Sequence, residues 1–472
     1  MYTSIAVLNE ETFKGMVANT KGLDILLFVA ALLPTAAIPL IGKQEFEKYS
    51  PSWHLILAGG ILTIAAWTWL GRYIQKLDSE SDSDSDSQIP FTELISNMWM
   101  WDCNGWKFYY EKFNFTGYII KCMTYGPTFN STISDKDKLW IKNTLENKNK
   151  FENEIISDQK SDDTRKLENL IFIVVESLPA RLIESEDAPL ILPYLTNLIE
   201  NDKSVYVPCL DITGPGHSSD GQFIYNTGLL PLRNEVLVLK YALKDYPSLA
   251  KALNIYSLEI IGESKSIWNH KETSQSYGFN QLIDNIATGS RAVQDSLIFE
   301  EGKRQLEKLS SPFFMLLTTL SMHSPYDWAE TPHFLSSLDL KTQDVREIEY
   351  LNRAHDFDRQ LGRFIENLKR LDKYSNTLIV IAGDHVIHGD DINWLKDDRV
   401  PFILVNSPLK EPKGNAFTQA DVFPTIMQIF KLNYRYKGWE YRGVGESIFF
   451  ENKEKLSERD YKVSELIITG DL

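Results

Sequence analysis

The stretch that decides the fold is NLIFIVVES, residues 169–177. Leu170 to Val175 are all apolar and mostly β-branched, and the run ends on Glu176. An amphipathic helix spaces its apolar residues three and four apart, whereas a short unbroken run of this kind is a strand buried on both faces. Runs of the same type recur as SVYVPCL (204–210), YSLEIIG (256–262), FFMLLTTL (313–320), TLIVIAG (377–383) and PFILVN (401–406). Helical patterns lie among them: LPYLTNLIEN (192–201), YPSLAKALNI (246–255), FDRQLGRFIENLKRL (357–371) and ADVFPTIMQIFKL (420–432). The alternation predicts an α/β domain whose mostly parallel sheet is sandwiched by helices. Its ligand site is expected beyond the carboxyl ends of the strands.

That rule directs attention to the polar residues that follow apolar runs. They are Glu176, Ser218 in TGPGHSSDGQF (213–223), His323 in TTLSMHSPY (318–326), and Asp384 with His385 in VIAGDH (380–385). A carboxylate ending a hydrophobic strand is costly unless something neutralises it, and a divalent cation does so. Carboxylate oxygens and imidazole nitrogens suit Mn²⁺, Mg²⁺ or Zn²⁺. Gly214, Pro215 and Gly216 make a turn, after which Ser218, Ser219 and Asp220 can cap a helix. A hydroxyl there sits at the positive end of the helix dipole, where a metal would lower its pKa and hold its oxygen as a nucleophile against phosphorus. Taken singly, each residue has an ordinary alternative: a solvated loop pair, a serine N-cap, a packing histidine.

The chain has 472 residues, with 49 Lys and Arg against 65 Asp and Glu, a net charge of −16. That balance excludes a nucleic acid as the main partner and requires a phosphate-binding protein to supply a metal or local cations. The apolar excess is concentrated near the N-terminus. Residues 25–41 (ILLFVAALLPTAAIPLI) and 55–70 (LILAGGILTIAAWTWL) carry no charge, and Trp67, Trp69 and Tyr73 sit where an interfacial aromatic belt belongs. With their flanks both approach the roughly 20 residues of a spanning helix. The expected organisation is a membrane anchor over 1–77, with transmembrane helices at about 23–42 and 53–72, followed by an acidic tether and helical linker over 78–165. The tether opens with DSESDSDSDS at 78–87, too polar to pack. A catalytic domain over 166–450 and a C-terminal tail over 451–472 complete the chain. The three cysteines, Cys103, Cys122 and Cys209, form no zinc-binding pattern.

Together, residues 168–435 resemble the lipoteichoic acid synthase and phosphoglycerol transferase group of the alkaline phosphatase and sulfatase superfamily. The resemblance rests on four elements in order: Val175-Glu176-Ser177-Leu178, Gly216 to Phe223 (GHSSDGQF), Thr319 to Tyr326 (TLSMHSPY), and Gly383-Asp384-His385. Softer echoes are Ser266-Ile267-Trp268-Asn269, Arg399-Val400-Pro401 and Asp421 to Thr425. The ordered set is far more specific than any member of it.

The resemblance implies that Glu176, Ser218, Asp384 and His385 hold one divalent metal, Mn²⁺ first among Mn²⁺, Mg²⁺ and Zn²⁺. It implies Ser218 as nucleophile on the phosphate of a membrane lipid donor, with a glycan or polymer as acceptor. His323 would be catalytic and would bind the phosphate, and Trp268, Asn269 and His270 would bind the substrate. The implied location is the cell membrane, with the catalytic domain on the extracytoplasmic side. Two spans return the chain to the side it started from, so this location implies an exported N-terminus or further preceding helices. The chain departs from the family's pattern at three places: Ser218 replaces a threonine, Gln222 a glutamate, and His270 an arginine that grips glycerol phosphate. A histidine there lacks the permanent charge and bidentate fork. Phosphoethanolamine transfer, a phosphatase or phosphodiesterase, and a degenerate membrane-tethered binding protein are the alternatives. A second metal would call on His388, Asp390 or Asp358.

Overall fold

The computed structural model describes residues 133–158, 166–201, 204–284, 286, 294–324, 334–337, 339–340, 342–387, 392–451, 455–470 and 472. The expected spanning segments, the acidic run, Cys103, Cys122, His388 and Asp390 lie outside these residues. Among the described residues no helix is long and apolar enough to cross a membrane.

Each predicted apolar run forms a strand. The strands are β1 (Asn169–Val175), β2 (Val205–Leu210), β3 (Tyr256–Ile261), β4 (Gln281–Ile283), β5 (Phe313–Thr318), β6 (Thr377–Gly383), β7 (Arg399–Val405) and β8 (Phe417–Thr418). They make one eight-stranded sheet in the order β4-β3-β5-β1-β6-β7-β2-β8. β7 alone is reversed, pairing antiparallel with both β6 and β2. The carboxyl ends of the remaining strands therefore share one edge. The longer helices are α1 (Asp135–Asp158), α2 (Pro193–Asn201), α3 (Ser218–Thr227), α4 (His270–Tyr277), α5 (Gln294–Leu306), α6 (Val345–Leu368), α7 (Val422–Ile429) and α8 (Glu458–Thr469). The helix expected over 246–255 is confined to Leu249–Leu253. Ser248 caps its start, and Asn254, at φ 50°, ends it.

β1 shows why its sequence is apolar without alternation. Ile171, Ile173 and Val175 enter a core with Phe299 of α5 and with Phe357 and Phe364 of α6. On the opposite face Phe172 meets Tyr225 of α3, ring centroids 5.4 Å apart. Both faces of the strand are thus covered by helices, and every β1 residue is buried.

The C-terminal residues set apart as a tail contain α8, which belongs to the packed domain. Ser457 and Asp460 form a capping box at its start. Val463, Ile467 and Ile468 are buried, and the Ser464 hydroxyl oxygen accepts the Leu230 N–H at 3.0 Å. Only one face of α8 is apolar, so its sequence carries no long hydrophobic run.

Candidate active site

The site grows out of three strand ends. Just beyond β1, β5 and β6 the ladder continues for one more bond each. The Thr319 N–H donates to the Val174 carbonyl, and the Asp384 N–H to the Val175 carbonyl, both at 3.0 Å. The Glu176 N–H donates to Thr319 Oγ1 at 3.0 Å. Ser177 then turns the chain at φ 50°. Its N–H donates to Asp384 Oδ1 at 2.8 Å, its hydroxyl to Glu176 Oε1 at 2.7 Å, and its carbonyl accepts the Tyr350 hydroxyl of α6 at 2.8 Å. Glu176 and Asp384 are thereby fixed to one another through a single residue.

Ser218 is delivered by a tight turn. Asp220 Oδ2 accepts the N–H groups of Gly214 and Gly216, each at 2.9 Å, and His217 takes φ 43°, a left-handed value that is costly for a side-chain-bearing residue. Ser218 is the first residue of α3 and not its cap. The helix can come close because Gly221 has no side chain: a Cβ there would stand 2.3 Å from the Asp384 carbonyl oxygen. The Ser218 hydroxyl donates to Glu176 Oε2 at 3.1 Å, and its oxygen lies 3.0 Å from His385 Nε2. His385 Nδ1 donates to the Val386 carbonyl at 2.7 Å, which turns Nε2 toward the site. Nε2 lies 3.3 Å from Glu176 Oε1 and 3.6 Å from Asp384 Oδ2.

Four of the residues expected to hold a metal are therefore together. Glu176, Asp384 and His385 are all buried, with donor atoms within 4.8 Å of one another. Asp384 Oδ2 is buried without a hydrogen-bond partner, a costly arrangement unless a cation takes that oxygen. Two hard oxygens, an imidazole nitrogen and a hydroxyl fit a divalent cation. The titration behaviour points the same way. Burial pushes Asp384 up, and the neighbouring Glu176 charge pushes it further, to about 8. Burial would lower His385, but the Asp384 and Glu176 carboxylates and the Val386 bond raise it to about 10. Burial would likewise raise Glu176. The His323 charge, the His385 bond and charge, and the Ser177 bond outweigh it and hold the carboxyl below its usual range. The pocket concentrates negative charge and retains protons where a metal would sit.

His323 lies on the loop after β5, close enough to Glu176 to act on its carboxyl, and its Nδ1 donates to the Ser324 carbonyl. Trp268, Asn269 and His270 follow β3 at the same sheet edge. His270 turns inward, buried, with Nε2 2.8 Å from Glu263 Oε1, and does not join the quartet. Asp358 is committed elsewhere: it accepts the Tyr194 and Leu195 N–H groups of α2 at 2.8 and 2.7 Å.

Several residues that shape the site gave no sequence signal beyond their polarity. Asp211 Oδ2 accepts the Val386 N–H at 2.8 Å. Gln419 donates to the Asp384 carbonyl at 2.7 Å and accepts the Ile212 N–H at 2.9 Å. Asp295 of α5 accepts the N–H groups of Leu320 and Ser321 at 2.8 and 3.0 Å, fixing the loop that carries His323.

These four residues stand at the carboxyl edge of a mostly parallel sheet, where an α/β fold places its ligand site. The model of the family described as Sulfatase matches residues 168–432, and the chain belongs to that family. Among curated proteins, Lipoteichoic acid synthase 2 of Bacillus subtilis (strain 168) is 26% identical over 330 residues, covering 63% of this chain and 50% of the relative. Lipoteichoic acid synthase of Staphylococcus aureus (strain USA300) is 25% identical over 334 residues, covering 63% and 51%. The chain thus spans about half the length of these relatives. Among solved structures, the lipoteichoic acid synthase LtaP from Listeria monocytogenes shares the fold at a TM-score of 0.53 and 20% identity. That match covers 66% of this chain and 93% of that one.

Proposed function

We propose that the protein transfers a phosphate-ester headgroup, phosphoglycerol-like, from a membrane lipid to a glycan or polymer acceptor, with Ser218 as nucleophile. The observation that carries the reading is the Ser218 hydroxyl set between Glu176 Oε2 and His385 Nε2 at 3.1 and 3.0 Å. Similarity to lipoteichoic acid synthases supports the choice of chemistry. Glu176, Ser218, Asp384 and His385 would hold one divalent metal, Mn²⁺ first among the candidates, which when bound supplies positive charge against the phosphate and acidifies the hydroxyl.

In the first half-reaction Ser218 Oγ attacks phosphorus. An oxygen–phosphorus bond forms to Ser218, the bond from phosphorus to the diacylglycerol oxygen breaks, and the electron pair leaves with that oxygen. The serine proton is released to water from the acidified hydroxyl, and the diacylglycerol oxygen takes a proton from His323. In the second half-reaction an acceptor hydroxyl attacks phosphorus and gives its proton to His323, while the phosphorus–Ser218 oxygen bond breaks and the serine oxygen recovers from water the proton it gave up in the first half-reaction. Water in place of the acceptor gives hydrolysis by the same residues. The expected anchor at 23–42 and 53–72 would keep the site at the outer face of the cell membrane, where the lipid donor lies.

The test is headgroup release from phosphatidylglycerol in mixed micelles, with Mn²⁺, by the full chain and by its Ser218→Ala variant. Release that disappears in the variant supports the reading. Equal release contradicts it, and a wild type that binds lipid and metal without turnover points to the binding-protein alternative.

A further inference from the structure

The loop after β3 keeps a backbone that needs support. Trp268 and Asn269 both have φ 55°, two successive side-chain-bearing residues in the left-handed region. Three contacts restrain them. Asn269 Nδ2 donates to the Val238 carbonyl at 2.8 Å, and the Lys271 N–H donates to the Lys265 carbonyl at 3.0 Å. His270 Nε2 lies 2.8 Å from Glu263 Oε1, so the loop's two ends are joined through a side-chain pair whose imidazole is buried and whose carboxylate is partly exposed.

Three carboxyl groups act on the imidazole. Glu263 shares its loop. Glu259, on β3, is 2% exposed, and its Oε2 has no hydrogen-bond partner. Asp284, just after β4, acts on the same ring and holds Lys265 Nζ at 3.5 Å. The loop also starts beside the site. Ile261, the last residue of β3, pairs with Thr318 of β5, and the next residue, Thr319, anchors the Glu176 N–H.

We infer that His270 is a positioning residue: its pairing with Glu263 latches residues 263–270 and sets Trp268 at the site edge, and its ring does not grip the phosphate. This rests on the headgroup-transfer reading for its effect on turnover, although not for its effect on the loop. Burial would lower His270, but the Glu263 bond and the charges of Glu263, Glu259 and Asp284 outweigh it and raise it above its usual value. Loss of the imidazole proton weakens the latch, so it loosens as pH rises through that raised value.

The experiment compares the full chain with His270→Ala, His270→Gln and Glu263→Gln by hydrogen exchange of residues 263–270 and by KM and kcat on phosphatidylglycerol micelles with Mn²⁺. Glutamine can reproduce the Nε2–H donor without the charge. His270→Ala is expected to speed exchange in the loop and raise KM about 10- to 100-fold, with kcat changed little. His270→Gln is expected to recover most of both losses, with a KM that stays level at alkaline pH where the wild type's climbs. Unchanged loop exchange in His270→Ala overturns the inference. So does a Gln variant as impaired in KM as the Ala variant, since the ring would then itself contact substrate. If the wild type shows no turnover, the headgroup-transfer reading fails, while loop exchange alone still decides the latch.

Discussion

The hydroxyl oxygen of Ser218 lies 3.0 Å from Nε2 of His385, across 167 positions of sequence. Neither residue reaches the other by local geometry. Ser218 arrives on the strained turn at His217, and His385 follows β6, held by Asp211 and Gln419 through the neighbouring backbone. The closeness of the two is a property of the whole sheet edge.

A divalent cation should bind this pocket and need its two acids. Glu176→Gln and Asp384→Asn are each expected to weaken Mn²⁺ binding by at least about 100-fold, measured by titration calorimetry on the folded protein. Circular dichroism separates lost binding from lost fold. Undiminished affinity in both variants would move the metal site elsewhere.

Binding should also release protons. The metal needs deprotonated ligands, whereas burial and the Glu176 charge push Asp384 up to about 8, and the neighbouring carboxylates push His385 up to about 10. Affinity should therefore climb with pH through the Asp384 value and level off above that of His385. Calorimetry in buffers of different ionisation enthalpy reads the released protons directly. A pH-independent affinity contradicts this electrostatic description.

Gly221→Ala tests the close approach of α3 to the metal loop. The added Cβ would stand 2.3 Å from the Asp384 carbonyl oxygen, so helix or loop must shift. A loss of about 1–3 kcal/mol of stability is expected in thermal or urea melts. Activity should fall further than stability alone explains, because the shift separates Ser218 from His385.

Removal of residues 457–472 should destabilise the domain by several kcal/mol, on the order of 1.5–3 for each large apolar side chain lost from the core. Val463, Ile467 and Ile468 leave the core, and the Leu230 N–H loses its partner at Ser464. A melting temperature equal to that of the full chain would make α8 a dispensable appendage.

The sequence disclosed the site where chemistry and strand ends coincide. Glu176, Asp384 and His385 each follow an apolar run, and a charge at such a place requires an explanation. Ser218 was marked by the glycine turn before it. Asp211, Asp295 and Gln419 were not legible, because what distinguishes them is a backbone N–H or carbonyl brought up from another strand or helix. The reversal of β7 was hidden for a related reason: RVPFILV is buried along nearly its whole length, and an unbroken apolar run has no direction. The pairing of His270 with Glu263 was not legible either, since Glu263 and Glu259 are ordinary acids in the sequence.

Mass analysis of the full chain, quenched during incubation with phosphatidylglycerol and Mn²⁺, tests the central claim most directly. A phosphoryl headgroup should add its mass to the peptide containing Ser218, and the added mass should be absent from Ser218→Ala. Sustained turnover with no adduct at Ser218, or with full activity in Ser218→Ala, would contradict the account.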